Sequence, residues 1–204
     1  MPRLDTVCSV RPRTGPATPL LGALVRRLRD IVSAAFLLTA GLVHADNGIE
    51  MASFDVARDH TGVYLSFATR FELPRGVEEA LLKGVPLHFV ADVEIYRSRW
   101  WWFNPRVAEA MRTWRLAWQP LTRSWRVSFG GLNQNYETLE GALGALRGVW
   151  RWKIAEPGQI DEGAHHTIEF RYRLDTAQLP RPLQIGVAGQ SDWSLAIERS
   201  AALR

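Results

Sequence analysis

From Val63 onward, apolar and polar residues alternate with a period of two: Val63, Leu65, Phe67, Thr69, Phe71 and Leu73 on one side, Tyr64, Ser66, Ala68, Arg70 and Glu72 on the other. Successive side chains leave a strand on opposite faces, so this period predicts a half-buried strand. Leu87, Phe89, Ala91, Val93 and Ile95 repeat the pattern opposite His88, Asp92 and Glu94, and Trp125, Val127 and Phe129 repeat it opposite Ser124, Arg126 and Ser128. The longest unbroken alternation is Ile168, Phe170, Tyr172 and Leu174 against Thr167, Glu169, Arg171, Arg173 and Asp175. Shorter strands are predicted at Ile49 to Val56, Trp114 to Trp118, Trp150 to Ile154, Leu183 to Val187 and Trp193 to Ile197, and residues 104 to 112 read as a further strand. Gly130-Gly131 reads as a strand-ending turn.

Two segments follow a helical rhythm instead. Pro74 opens one with Val77, Leu81 and Leu82 on a single face and Gly84 at its close. Thr138 caps a second that presents Leu139, Ala142, Leu143 and Leu146 and ends at Gly148. Gly141 and Gly144 each weaken that second helix by about 1 kcal/mol relative to Ala, so it needs a sheet to pack against. Hairpin-length gaps such as Gln119-Pro120-Leu121-Thr122 dominate the chain between strands, which favours antiparallel pairing. The expectation is a mainly β (α+β) domain, an antiparallel β-sandwich-like sheet with two short covering helices.

The first 45 residues break from this pattern. Arg26, Arg27 and Arg29 precede an apolar run from Ile31 to Val43, followed by Val43-His44-Ala45 and then polar Asp46-Asn47-Gly48. That order predicts a secretory signal peptide cleaved after Ala45. The run falls short of the roughly 20 residues that a spanning helix needs, and if retained it would still tether the domain to the inner membrane. Residues 1–24 carry four prolines and no helical pattern, and read as disordered or as preceding a start at Val25. The residues after Arg26-Arg27 fit a twin-arginine signal poorly, which favours ordinary unfolded secretion. The predicted organisation is therefore residues 1–45 as extension and signal, and residues 46–204 as one exported, periplasmic domain.

Charge changes its meaning once the leader is set aside. Six of the 25 Lys+Arg and two of the 21 Asp+Glu lie in residues 1–45, so the formal charge of +4 belongs to the leader and 19 charges of each sign remain. A neutral domain lacks the cationic surplus that phosphate-backbone binding requires, which argues against a nucleic-acid partner. The only cysteine, Cys8, precedes the apolar run, so the domain has no thiol for a disulfide, a metal or a nucleophile.

Candidate chemistry is sparse. His165-His166 with Glu169 would cluster on a helix, but on a strand the histidines point apart and positions four apart lie about 13 Å from each other, too far for one ion. No spacing in the sequence joins His60 or His88 to them, and no metal or cofactor is expected. Asp92 and Glu94 share a strand face with His88 at a separation of about 6.7 Å, within the range of glycosidase carboxylate pairs, and solvated strand faces carry such pairs as well. The chain has no Gly-x-Ser-x-Gly elbow, His-Glu-x-x-His or phosphate-cradling glycine loop.

Tryptophan is the conspicuous residue. All nine lie beyond residue 45, three of them in Trp100-Trp101-Trp102, followed by Phe103 and flanked by Arg97, Arg99 and Arg106. Read as a strand, Trp100 and Trp102 point one way and Trp101 and Phe103 the other, so one pair faces the core and the other is covered or exposed. An exposed pair beside arginines would suit a protein, a sugar or the membrane interface, and Arg99, Trp100, Trp101, Trp102, Phe103 and Arg106 are the candidate binding residues.

Several stretches together resemble one family of exported proteobacterial proteins, the domain of unknown function family 4390. They are Gly84-Val85-Pro86-Leu87, Arg99 to Phe103, Leu121-Thr122-Arg123 with Trp125-Arg126-Val127, Gly130-Gly131-Leu132, Leu174-Asp175-Thr176, Leu179-Pro180-Arg181-Pro182-Leu183 and Asp192-Trp193. Asp175 is expected to end its strand with a side-chain turn, and Pro180 and Pro182 to hold an extended approach to the strand at Leu183. The resemblance implies a secreted domain encoded near a nitrogen-regulation-type sensor kinase, and supplies no catalytic residues. The reading that follows is a non-enzymatic exported domain binding a protein partner in the cell envelope, a membrane sensor kinase in particular. A carbohydrate or envelope-polymer binder on the same aromatic surface and a hydrolase using Asp92 and Glu94 are the alternatives.

Overall fold

The computed structural model describes residues 48–98, 104–161, 163–187 and 189–203. The described elements lie in the unit Asp46–Arg204. Strand β1 (Glu50–Asp59), β2 (Gly62–Arg70) and β7 (Gly148–Ala155) form one antiparallel sheet in the order β1-β2-β7. A second, six-stranded antiparallel sheet runs β6-β5-β4-β3-β8-β9, from β3 (Leu87–Arg97), β4 (Arg106–Gln119), β5 (Ser124–Phe129), β6 (Leu132–Tyr136), β8 (His166–Leu174) and β9 (Ala196–Leu203). The protein is thus mostly β, as the alternating pattern predicts.

The core forms where the apolar faces of the two sheets meet. Phe67 of β2 lies 4.8 Å from Phe170 and 5.8 Å from Tyr172 of β8, and Phe71 stacks on Phe89 of β3 at 5.3 Å. Leu65, Leu87, Phe89, Ile95, Leu116, Ile168 and Tyr172 are fully buried. Most of these are residues that the period of two assigns to one face, because alternation along β2, β3 and β8 aims a row of apolar side chains into the core.

Both predicted helices form. Helix α1 (Arg75–Leu82) starts at Pro74, whose carbonyl accepts the amides of Val77 and Glu78 at 3.0 Å, and buries Val77, Ala80 and Leu81. In α2 (Leu139–Leu146) the Thr138 hydroxyl oxygen accepts the Gly141 amide at 3.1 Å and satisfies one of the orphan donors of the first turn. Gly148 does not end α2: Arg147 follows its last residue and Gly148 begins β7. A Cβ at Gly148 would come within 2.8 Å of the Phe67 carbonyl oxygen, so the close approach of β2 and β7 is what requires glycine there.

Other expectations are corrected. Leu183 to Val187 is not a strand but part of a third helix, α3 (Arg181–Val187), so the described residues hold three α-helices rather than two. Pro180 and Pro182 therefore lead into a helix: the Pro180 carbonyl accepts the Leu183 and Gln184 amides at 2.9 and 3.2 Å, and Pro182 lies in a first turn, where a missing N–H removes no bond. Trp193 to Ile197 is not one strand. Trp193 closes a 3-10 turn (Ser191–Trp193) with its side chain buried, and β9 begins only at Ala196. Strand β6 is absent from the prediction, since Leu132 to Gln134 and Asn135 are exposed and no apolar alternation marks them. It exists because Gly130 and Gly131, with φ of 53° and 84°, fold the chain back so that Phe129 pairs with Leu132. The segments predicted at 104–112 and 114–118 join into the single 14-residue strand β4. Asp175 does end its strand, accepting the Ala177 amide at 3.2 Å.

Candidate functional site

The six-stranded sheet has a second face, which carries the polar positions of each strand. Residues directly opposite one another in an antiparallel pair share a face, so the register determines what meets there. Glu94 of β3 is opposite Glu109 of β4 on one side and Glu169 of β8 on the other. One step along, Asp92 is opposite Met111 and Arg171, and Arg171 is opposite Glu198 of β9. These side chains line an open groove of about 700 Å³. Met111 stands in it with 71% of its surface exposed, an apolar residue ringed by charge.

Arginines from neighbouring strands hold most of the carboxylates. Arg106 reaches both Glu94 and Glu109, the latter at 2.8 Å; Arg173 binds Asp92; and Arg171 donates to Glu198 at 2.6 Å. Tyr96 donates its hydroxyl to Glu94 at 2.6 Å. The Tyr96 hydrogen bond, followed by that from Arg106, holds the Glu94 carboxyl below the usual carboxylate range, while the same contact pushes the Tyr96 hydroxyl up. Glu169, the third member of the cross-strand row, is exposed. Three carboxylates thus stand in line across three strands, Arg106 pairing with Glu94 and Glu109 while Arg171 also acts on Glu94 from β8, and like charges directly opposite one another disfavour the row.

The fold brings together two candidates that the sequence keeps apart. Arg106, from the aromatic-arginine cluster, meets Glu94, from the carboxylate pair. Arg99, Trp100, Trp101, Trp102 and Phe103 lie outside the described residues, as does the predicted cleavage point at Ala45, so the alternation expected of those aromatics is not described. Their flanks are: the Arg97 amide donates to the Pro105 carbonyl at 3.0 Å and the Ser98 amide to His165 at 2.8 Å. His88 shares the outer face with Asp92 and Glu94 as expected, opposite Arg115, and burial above all lowers its pKa. His165 is exposed and His166 buried, on opposite sides as the strand reading requires. Among the described residues no three His, Cys, Asp or Glu side chains converge as a metal set, and no helix is long and apolar enough to cross a membrane.

Sequence reasoning missed Glu109, Met111, Arg171 and Glu198 as members of one surface. Glu109 and Arg171 are visible as polar positions of predicted segments, but only the register of the four strands brings them into line with Met111 and Glu198.

A family model, the domain of unknown function DUF4390, matches residues 46–202. The chain belongs to this family. The match covers every strand of both sheets up to the last residue of β9, so the resemblance carried by the glycine, proline and tryptophan stretches extends over the whole described fold. No curated protein and no solved structure matches the chain.

Proposed function

We propose that this DUF4390 domain is an exported, non-enzymatic binding module. Its recognition surface is the outer face of the six-stranded sheet, and the aromatic segment Arg99 to Phe103, which follows β3 in the chain, is the second candidate region. The row Glu109, Glu94 and Glu169 carries the proposal: it sets three carboxylates in line on an open face, Arg106 pairing with the first two and Glu169 standing exposed, a complement to a partner segment that brings Lys or Arg to Glu169 and an apolar residue to Met111. The partner is a protein of the cell envelope, and the periplasmic part of a membrane sensor kinase is the first to test.

The rings that meet between the sheets support the sandwich-like packing on which such a face depends. Lowering of the Glu94 pKa argues against Glu94 as the general acid of a glycosidase, which needs its carboxyl raised rather than held ionised. A photocrosslinker at Met111 in intact cells tests the reading, with one at Trp101 reporting the aromatic segment. Capture of a membrane protein from Met111, lost in Glu94→Lys with Glu169→Lys, is expected. Capture of polymer alone would transfer the face to a carbohydrate-binding role, and capture of nothing from either position would remove it as a docking surface.

A further inference from the structure

The inner face of β4 reads Ala108, Ala110, Arg112, Trp114 and Leu116, and Arg112 is the charged residue in that row. Opposite Ala91, it is half-buried on the core side of the sheet. Its guanidinium carbon lies 4.5 Å from the ring centre of Phe129 on β5 and 5.1 Å from that of Trp152 on β7. No carboxylate, carbonyl or hydroxyl among the described residues accepts a hydrogen bond from it, in contrast to Arg106, Arg147, Arg151, Arg171 and Arg173, each of which has a carboxylate. The two rings attract the positive charge but accept none of the five N–H donors of the fork. Burial lowers the Arg112 pKa with no offsetting anion.

Trp152 is brought to this cation by a backbone irregularity. Val149 pairs with Phe67 and Trp152 with Leu65, so β7 spends three steps where β2 spends two, and Trp150 and Arg151 together oppose Ser66. Arg151 adopts φ of 47°, a conformation uncommon outside glycine, and its amide donates to the Ser66 hydroxyl at 3.0 Å. Without the extra residue, position 152 would fall on the opposite face from Val149. The bulge instead turns Trp152 inward over Arg112 and leaves Trp150 outside, 81% exposed. A strained residue and a bulge thus set an aromatic ring against an unpaired cation, and irregularities of this kind cluster at ligand sites.

We propose that Arg112, with Phe129 and Trp152, is an oxyanion-binding site at the seam between β4, β5 and β7, which takes a carboxylate or a phosphate on the guanidinium fork. The rings fix the guanidinium and lower its hydration, and the anion supplies the acceptors that the fold does not. This site lies on the opposite side of the sheet from the groove, and stands or falls independently of it.

The full-length protein is titrated with sodium phosphate and, in a second arm, with sodium acetate, at constant ionic strength held by sodium chloride. Tryptophan fluorescence and the thermal midpoint are the readouts. A saturable change in at least one arm is expected, weakened by about tenfold or more in Arg112→Gln and also reduced in Arg112→Lys, which keeps the charge but loses the fork. Response to phosphate alone assigns a phosphoryl ligand, and response to acetate assigns a carboxylate. Absence of a saturable change in both arms, or an undiminished one in Arg112→Gln, overturns the proposal. If Arg112→Gln does not fold, Arg112→Lys decides by the same criterion.

Discussion

The hydroxyl of Tyr172, on β8, donates to the carbonyl of Leu146, the last residue of α2, at 2.9 Å inside the core. That carbonyl is one of the orphan acceptors at a helix end, and a strand side chain closes it. Burial also raises the Tyr172 pKa, so the hydroxyl keeps its proton and remains a donor at high pH. Tyr172→Phe leaves the acceptor buried and unpaired and is expected to lose about 1–3 kcal/mol in urea unfolding. Phe170→Leu, a pure packing change beside it, tests whether the loss is specific to the bond: amide exchange in α2 accelerates in Tyr172→Phe only.

Close backbone approach separates Gly62 from Gly131. A Cβ at Gly62, where φ is 141°, would lie 2.4 Å from the Ala155 carbonyl oxygen, whereas one at Gly131, with φ of 84°, meets nothing within 4 Å. Gly62→Ala is therefore expected to destabilise by about 2 kcal/mol or more, and Gly131→Ala by about 1 kcal/mol from strain alone. Paired denaturant melts measure the difference.

The β1–β2 hairpin carries a pH dependence of definite sign. Hydrogen bonds from the Thr61 hydroxyl and amide to Asp59, the hydroxyl first, lower its pKa to about 2. A depressed carboxylate contributes stability that is fully present above its unfolded value near 4 and lost as pH falls through the folded value. Acid titration followed by carboxyl NMR should place the Asp59 midpoint near 2. Thr61→Ala should move it upward, and hairpin protection should decline only below pH of about 4.

The opposed carboxylates of the outer face predict stability changes of opposite sign. Arg106 and Glu94 are 49% and 36% exposed, so Arg106→Ala should cost no more than about 1 kcal/mol while raising the Glu94 pKa. Glu169→Gln removes a like charge from the row and is expected to stabilise by about 0.2–1 kcal/mol. If the row serves recognition, the more stable Glu169→Gln protein binds its partner more weakly, a divergence between melting and capture that a structural role does not produce.

Much of the fold is legible in the chain because its dominant physical demand is local. Period-two burial along Val63 to Phe71, Leu87 to Ile95 and Ile168 to Leu174 needs only the geometry of a strand, and those three segments are β2, β3 and β8. Leu183 to Val187 escapes such reading, since a short apolar run fits helix and strand alike and Pro182 decides for the helix only in a first turn. Strand β6 escapes it as well, because pairing through the Gly130-Gly131 turn rather than burial holds it.

The sequence by itself determined that residues 46–204 form a thiol-free, charge-neutral, mainly β domain of the DUF4390 family, and it singled out the tryptophans and the pair Asp92 and Glu94. Only the tertiary structure decided which charges meet. Register set Glu94 between Glu109 and Glu169, and one extra residue in β7 turned Trp152 onto Arg112. The reason is the range of the interactions. Alternation is imposed by neighbours two residues away, whereas partners 15 to 75 residues apart are fixed by how strands align and where they bulge.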